Sequence, residues 1–570
     1  MYEANLEQGL YTRGPSFADL PFHMNIVSSF SYGINFNRTS IFDIWSCFQA
    51  DIKLAYPVLH NFYISVLVNC NDMTMPIAFQ ITAFILTFSF VILLHEVFLT
   101  FSKDRIVTLL SIPTWLLLGG LGYTMLFYPH YYQQRSNNWI LRFSSKHHAT
   151  WMQPLVHILI PQRSALFSSP LVFTCILCFM RGVKKWDFSY FILAGFCTAF
   201  LPQIQVHSFV AIAQFAIATC LLFFPSKKEF WSAFFSWFIY AFISCLIGLP
   251  LTYPFWLRES ENSSNFIRIQ PFWSDNIYGK LSFPLISVWW KSLGPFGMVA
   301  LLFGWISATK YQLKFWGSSM IVFLITMFVM YQPWKMDNLK LLFAVWLPIV
   351  VPFVTQYYVY IWRYSTKALK KSYRNVFVHI FIKIIVVVLM LQNTFSSILS
   401  INYELGIKLI FMTKDDYACG NWISENTPID SIFFSYSSRF NPATAIGGRQ
   451  LYLGFVSWTA QHGVAGPNRE LLTSQLLQDT NNSDFFASEG IQYVLLHVNK
   501  SLHFPIKGSN SPWIKVFEVG PYTIFKLNHT NIEPPEHKRN HTKKQESPML
   551  TPLPLPTKKK RKKYIYNFTE

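Results

Sequence analysis

Asp19 and His23 lie four residues apart in the segment Ala18-Asp19-Leu20-Pro21-Phe22-His23, so on a helix they would stand one turn from each other. A carboxylate and an imidazole so placed can take a proton from a hydroxyl or an amide, the work of a general base. Elsewhere the sequence offers cations suited to a phosphate: Arg163, Lys335, Lys340 and Arg449. Arg grips phosphate oxygens as a planar fork, and Lys meets them as a point charge. Lys335 and Lys340 share the polar stretch Gln332 to Lys340 with Asp337 and Asn338, between two apolar runs. His147, His148, His207 and Gln162 are further polar groups able to bind an acceptor. His147 and His148 are adjacent rather than one helical turn apart, so they do not share a ligand face, and no zinc site is indicated. A divalent ion would more naturally assist the phosphate.

Taken singly, each of these has a plainer reading. Asp19 could cap the helix that follows it, and Asp337 with Asn338 could cap the next apolar run. Lys335 and Lys340 could mark a membrane interface, and Gly447-Gly448-Arg449 could be a turn. What favours a site is their convergence on one side of a membrane.

The membrane is written in the composition. The chain has 570 residues, 52% hydrophobic and only 13% charged, where a soluble globular chain carries about a quarter charged residues. Charge-poor runs of roughly 20 residues, enough to cross a bilayer as a helix, recur from Met75 to Ser400. Ten spans are expected, at about 76–101, 106–128, 164–181, 188–203, 205–224, 230–253, 284–308, 315–331, 341–362 and 376–400. Basic residues fall in every second loop: Lys103 with Arg105, Arg181 with Lys184 and Lys185, Lys227 with Lys228, Lys310 with Lys314, and the run from Arg363 to Arg374. The positive-inside rule then puts those loops in the cytosol and both chain ends in the lumen. Glycosylation sequons at Asn37, Asn262, Asn481, Asn499 and Asn528, and two more at Asn540 and Asn567, all fall on the luminal side. A luminal N-terminus needs a preceding span, and residues 1–22 contain none, so a first helix is expected to be missing. With it restored there would be eleven spans.

Four segments are expected: a first luminal loop with interfacial helices (1–75), a transmembrane domain (76–400), a small luminal α/β domain (401–530) and a basic, disordered tail (531–570). Met24 to Phe30 and Leu54 to Val68 read as the interfacial helices. In the α/β domain, helices are expected at Asp415–Glu425 and Asn468–Asp479 and strands at Ser431–Tyr436 and Gln492–Val498. A hairpin should turn at Gly520-Pro521. The net charge of +19 owes much to the tail. Its KKKRKK run looks like a nuclear signal that a luminal tail cannot use, and nucleic acid is not an expected partner. Cys175, Cys178, Cys197, Cys220 and Cys245 fall within spans as small apolar residues. Cys47, Cys70 and Cys419 are luminal, and a Cys47–Cys70 bridge is left open.

A first-loop acidic residue, interfacial helices, about eleven spans and a luminal C-terminal domain together resemble the GT-C superfamily of glycosyltransferases. The stretch ADLPFHMNIVSSFSYG is similar to the first-loop motif of that superfamily, with Asp19 at the position of the catalytic carboxylate. LPQIQVHSF, WKMDNLK and GGRQLYLGFVSWTAQHG resemble segments of a poorly characterised GT-C-like membrane family. The resemblance implies a multi-pass protein of the endoplasmic reticulum membrane that takes a sugar from a dolichyl-phosphate carrier and passes it to a protein or glycolipid. It implies Asp19 as base and the four cations as phosphate contacts. A transporter or flippase, or an inactive scaffold of the same fold, remains the alternative.

Overall fold

In hydrocarbon a backbone has no water to bond, so an apolar run must satisfy its own N–H and C=O groups as a helix. The computed structural model describes residues 2–5, 9–16, 19–38, 40–70, 73–127, 152–256, 267–271, 290, 292–332, 335–371, 376–461, 467–500, 502, 504 and 511–528. Met1–His529 form one compact unit, and the second, Thr530–Glu570, lies outside the described residues, as does the expected basic tail within it. Strands β1 (Tyr2–Asn5) and β2 (Gly9–Arg13) precede α1 (Asp19–Tyr32) and α2 (Leu59–Cys70). The apolar helices follow: α3 (Met75–Ser102), α4 (Arg105–Leu116), α5 (Arg163–Gly182), α6 (Phe188–Phe200), α7 (Val206–Leu222), α8 (Phe230–Trp256) and α9 (Lys310–Phe328). Then α10 (Lys335–Leu341) runs through one π-helical stretch, Leu342–Trp346, into α11 (Leu347–Lys371), and α12 (Val376–Gly406) completes the series.

Among the described residues, five helical runs are long and apolar enough to cross a membrane: Met75–Ser102, Arg163–Gly182, Lys227–Phe255, Asp337–Leu369 and Val376–Gly406. Four shorter apolar helices, Arg105–Leu116, Phe188–Gln203, Val206–Leu222 and Pro295–Ser307, accompany them. The chain is a multi-pass membrane protein. Asp337–Leu369 is the axis of the bundle, because its apolar window is 94% buried, against 11% for α12 and 22% for α8. The polar start of that axial helix is the segment the sequence singled out.

The expected span 106–128 is corrected. Helix α4 stops at Leu116, and a non-helical backbone follows through Gly119 and Gly120. Irregular backbone at membrane depth survives only where protein supplies its partners. Here α12 supplies them: Gly119 N–H donates to Asn393 O at 2.9 Å, and Ser396 Oγ accepts from Tyr123 N–H at 2.8 Å while donating to Gly120 O at 3.0 Å.

Helix α1 is also corrected. It is not an amphipathic helix lying on a surface, since every residue from Leu20 to Ser31 is buried. Leu20, Met24 and Val27 pack with Ile64 of α2 and Phe79 of α3 on one side and with Met412, Ala445 and Ile446 on another. Phe22, Ile26 and Phe30 pack with Cys47, Phe48 and Trp458. The polar residues of α1 are covered as well, Asn25, Ser28 and Ser29 donating to Pro21 O, Ala445 O and Ile26 O.

The cover comes from the α/β part. Strand β3 (Arg268–Ile269) pairs with β4 (Val329–Met330) inside the bundle half, and β5 (Lys408–Met412) pairs antiparallel with β2. After β5 come α13 (Lys414–Asn426), β6 (Ile432–Ser435), α14 (Pro442–Ala445), β7 (Gln450–Leu451), α15 (Val456–Gln461), α16 (Pro467–Gln478), α17 (Ser483–Ser488), β8 (Ile491–His497), β9 (Trp513–Val519) and β10 (Tyr522–Leu527). The sheet runs β7-β6-β8-β10-β9, with β6 parallel to both its neighbours and the other pairs antiparallel. Thr413 and Asp416 cap α13 reciprocally, each side chain accepting from the other's N–H. Gly520 at φ +48° turns the β9–β10 hairpin where the Gly-Pro pair announced it. All eight cysteines are free, so the Cys47–Cys70 bridge does not form.

Where α1 ends, two glycines let backbones touch. A Cβ on Gly33 would lie 1.9 Å from Gly448 O, and Gly448 has φ +69°. Ser28 Oγ donates to Ala445 O at 2.6 Å beside them. The Gly447-Gly448-Arg449 turn is thus the seat of α1.

Candidate active site

Asp19 opens α1 with its side chain keeping partial contact with solvent. Its carboxyl is pushed up from 3.8 to about 6, chiefly by burial; Lys340 pulls it down, Asp337 pushes it up and Arg439 pulls it down. Three charged groups from two distant segments therefore converge on the head of α1. Asp337 and Lys340 are one turn apart on α10 and pair at 2.8 Å. Arg439 follows β6, and its guanidinium lies over the Phe455 ring at 4.9 Å.

Tyr56 completes the near shell. Its ring meets Phe22 edge-on at 4.8 Å, and burial together with the charges of Asp19 and Asp337 holds its phenol well above the usual range. The charges of Lys340 and Asp337 also act on His207 at the start of α7. One carboxylate poised near neutrality, two cations and a second carboxylate thus share a boundary between the bundle and the α/β part. Such a group can accept a proton from a substrate and balance a phosphate.

Of the residues expected from sequence, the structure brings Asp19, Asp337, Lys340 and His207 together. Lys335 begins α10, but its side chain lies outside the described residues, as do His147, His148 and Asn262. His23 turns to other partners: its Nδ1 is 3.1 Å from Asn61 Oδ1 and 3.3 Å from His60 Nε2. Burial alone depresses His60 to about 3, so that ring stays neutral. Arg163 stacks over Phe79 at 5.3 Å, on the α3 wall beside α1, and Gln162 precedes it at the helix start with its amide reaching His157 O at 3.5 Å. Asn37, Asn481, Asn499 and Asn528 are exposed.

Two assignments are corrected. Asn338 is fully buried, and its amide donates to Thr326 O and Val329 O at 2.9 Å while its oxygen accepts from Tyr331 N–H at 3.1 Å. It ties the end of α9 to the start of α10 and does not bind an acceptor. Arg449 is 1% exposed and spends all its donors on protein: Nε on Thr427 Oγ1, Nη1 on Tyr32 O and Gly447 O, Nη2 on Ser424 O and Thr427 O. A guanidinium has five N–H groups, so none is left for a phosphate. The arginine whose charge acts on Asp19 is Arg439. The signal for it was its position, just past the carboxyl end of β6, where open α/β sheets bring residues to ligands.

Among the described residues, no three His, Cys, Asp or Glu side chains come together as a metal site would require. Lys340 and Arg439 put positive charge beside the two carboxylates, which disfavours a further cation there. The described residues do not make a divalent-cation cage.

No family model matches the sequence, and neither does any curated protein. Solved structures do. The oligosaccharyltransferase AglB from Archaeoglobus fulgidus, in complex with an inhibitory peptide and a dolichol-phosphate, aligns with a TM-score of 0.49 and 10% identity over 85% of this chain and 66% of that one. ArnT from Cupriavidus metallidurans, bound to undecaprenyl phosphate, aligns with a TM-score of 0.45 and 7% identity over 91% of this chain and 95% of that one. These neighbours are GT-C glycosyltransferases. The chain spans about two thirds, 66%, of the length of the archaeal enzyme. The likeness is one of chain trace; the chemistry rests on the side chains.

Proposed function

We propose that the chain transfers a sugar from a polyprenyl-phosphate carrier, dolichyl phosphate in a eukaryotic secretory membrane, to a hydroxyl or amide of a protein or glycolipid. The observation that carries this reading is Asp19, raised to about 6 at the head of α1 with Lys340 and Arg439 acting on it. Asp19 takes the proton of the acceptor as its oxygen or nitrogen attacks the anomeric carbon. The bond from that carbon to the carrier phosphate breaks, and the new negative charge falls on the phosphate, where Lys340 and Arg439 balance it. Preorganised cations in a water-poor site supply several kcal/mol at that moment. Asp337 holds Lys340 in place through their 2.8 Å pair.

The pH profile tests the base. The ionised carboxylate is the active form, so turnover should fall as pH drops through about 6. Lys340→Ala removes a group that pulls Asp19 down, and the acidic limb should move to higher pH. Asp337→Asn removes a group that pushes it up, and the limb should move the other way. If both limbs stay where the parent's is, Asp19 is not the base.

We place the site in the lumen of the endoplasmic reticulum, on the distribution of basic loops and sequons. Expressed in a secretory host, the protein should migrate faster after endoglycosidase treatment. Asn481, Asn499 and Asn528 should contribute most, being exposed on the α/β part. An unshifted band would overturn the orientation and leave the chemistry of the cluster standing.

A further inference from the structure

A cavity of about 240 Å³ opens at the ends of β6 and β7, lined among others by Ser435, Tyr436, Ser437, Gly454, Glu470 and Thr473. Its place in the sheet is the point where chain order reverses. Strand β6 lies between β7 and β8, parallel to both, and the chain leaves it first to one side and then to the other. Parallel strands diverge there, and α/β sheets use that crevice, outside their carboxyl ends, to hold ligands. Both strand ends lead from the cavity to Asp19. Two residues past Ser437 is Arg439, which acts on the Asp19 carboxyl, and beside Gly454 is Phe455, under the Arg439 guanidinium.

We infer that this cavity is the acceptor subsite, and that it takes one ring of a carbohydrate. The assignment rests on the reading of Asp19 as the transferring centre. Among the described residues the lining has hydroxyls and one carboxylate but no Lys or Arg, which suits a neutral polyol better than a phosphate. Ser435 donates to Leu495 O at 3.0 Å and accepts from Asn441 Nδ2 at 2.9 Å, which fixes the wall of the cavity, and Ser437 and Glu470 are exposed polar groups on it. Tyr436 is buried, with its hydroxyl donating to Tyr522 at 3.4 Å and its ring meeting His497 at 5.8 Å, so it forms the floor of the cavity. The volume falls below the roughly 300–1,000 Å³ of sites for larger ligands, and it fits a single ring. An extended peptide would instead add to a strand edge. The outer edge of β7 is already taken: Leu451 N–H donates to Cys47 O at 3.1 Å and Ala50 N–H to Leu451 O at 2.8 Å.

The test is saturation-transfer NMR on the full chain in lipid nanodiscs, with methyl α-D-glucopyranoside, methyl α-D-mannopyranoside and N-acetylglucosamine as probes. At least one should receive saturation from the parent protein. Glu470→Gln should weaken that binding by about tenfold, the loss of one hydrogen bond to a charged group, and Ser437→Trp should abolish it by filling the cavity. Both side chains are on exposed positions, and unchanged melting of each variant confirms that folding is not at issue. Asp19→Asn should bind the probe as the parent does. No saturation of any probe, or equal saturation in Ser437→Trp, overturns the inference, as does a signal lost only on adding a Ser/Thr-containing peptide. Probe binding that survives beside full turnover in Asp19→Asn would sink the base assignment and leave the cavity a sugar site.

Discussion

Asp19→Asn is expected to lower sugar transfer by about 10²–10⁴-fold, the usual worth of a positioned general base, without loss of stability. The amide keeps the shape of the carboxyl and removes only its ability to take a proton. Its effect on folding has a definite sign. A carboxyl raised from 3.8 to about 6 in the folded protein binds its proton more tightly there than in the unfolded chain. The stability this brings is present below 3.8 and is lost as pH rises through about 6. At neutral pH the ionised group is therefore a burden on the fold, and the neutral amide relieves it. Transfer from a polyprenyl-phosphate sugar and thermal unfolding, measured on the same detergent-purified sample, should move independently. Parent-level turnover in the variant would move the base to another residue, with Asp337 the first to try.

Arg449→Ala should do the reverse, costing the fold first. The substitution leaves Tyr32 O, Gly447 O, Ser424 O and Thr427 O without the guanidinium that now bonds them inside the protein. Each buried acceptor so orphaned costs about 1–3 kcal/mol, and whole proteins are stable by only about 5–15 kcal/mol. A loss of several kcal/mol is expected, read as a melting midpoint that falls far below the parent's or as failure to purify a folded protein. Burial brings the guanidinium down to about 10, which still leaves it charged at neutral pH. Whatever fraction does fold should bind the donor normally. A variant with parent-like melting and a donor KM raised tenfold or more would instead restore Arg449 to the phosphate.

That contrast marks the boundary of what could be read from residues alone. That Asp19, Asp337, Lys340 and His207 would gather was legible because charge and imidazole at the ends of apolar runs are costly unless paired. The helices Lys414–Asn426 and Pro467–Gln478 and the strands β6 and β8 fall within a residue or two of expectation. Their signals are local: polar residues on the solvent side of the two helices, and short runs rich in Ile, Phe, Val and Leu in the two buried strands. Arg439 and Arg449 could not be ranked in this way. Both are lone cations near strand ends, and what separates them is the surroundings of the guanidinium, carbonyls for Arg449 and the Phe455 ring for Arg439, which only the tertiary fold brings together. Asn338 misleads for the same reason: an amide beside Asp337 looks functional until the carbonyls of Thr326 and Val329 are placed. The apolar stretch of α1 was ambiguous because a helix under lipid and a helix under protein need the same side chains.

The Arg449 bond to Tyr32 joins residues 417 positions apart in the chain. At the roughly 5–20 residues per second of synthesis, α1 waits about 20–80 s for the turn that seats it. Through that interval its outer face, with Leu20 and Val27 fully made, lacks Met412, Ala445 and Ile446, and Asp19 lacks Arg439. A nascent chain arrested before β6 therefore leaves that face of α1 uncovered, and under the proposed function transfer begins only when the last part of the chain has docked onto the first.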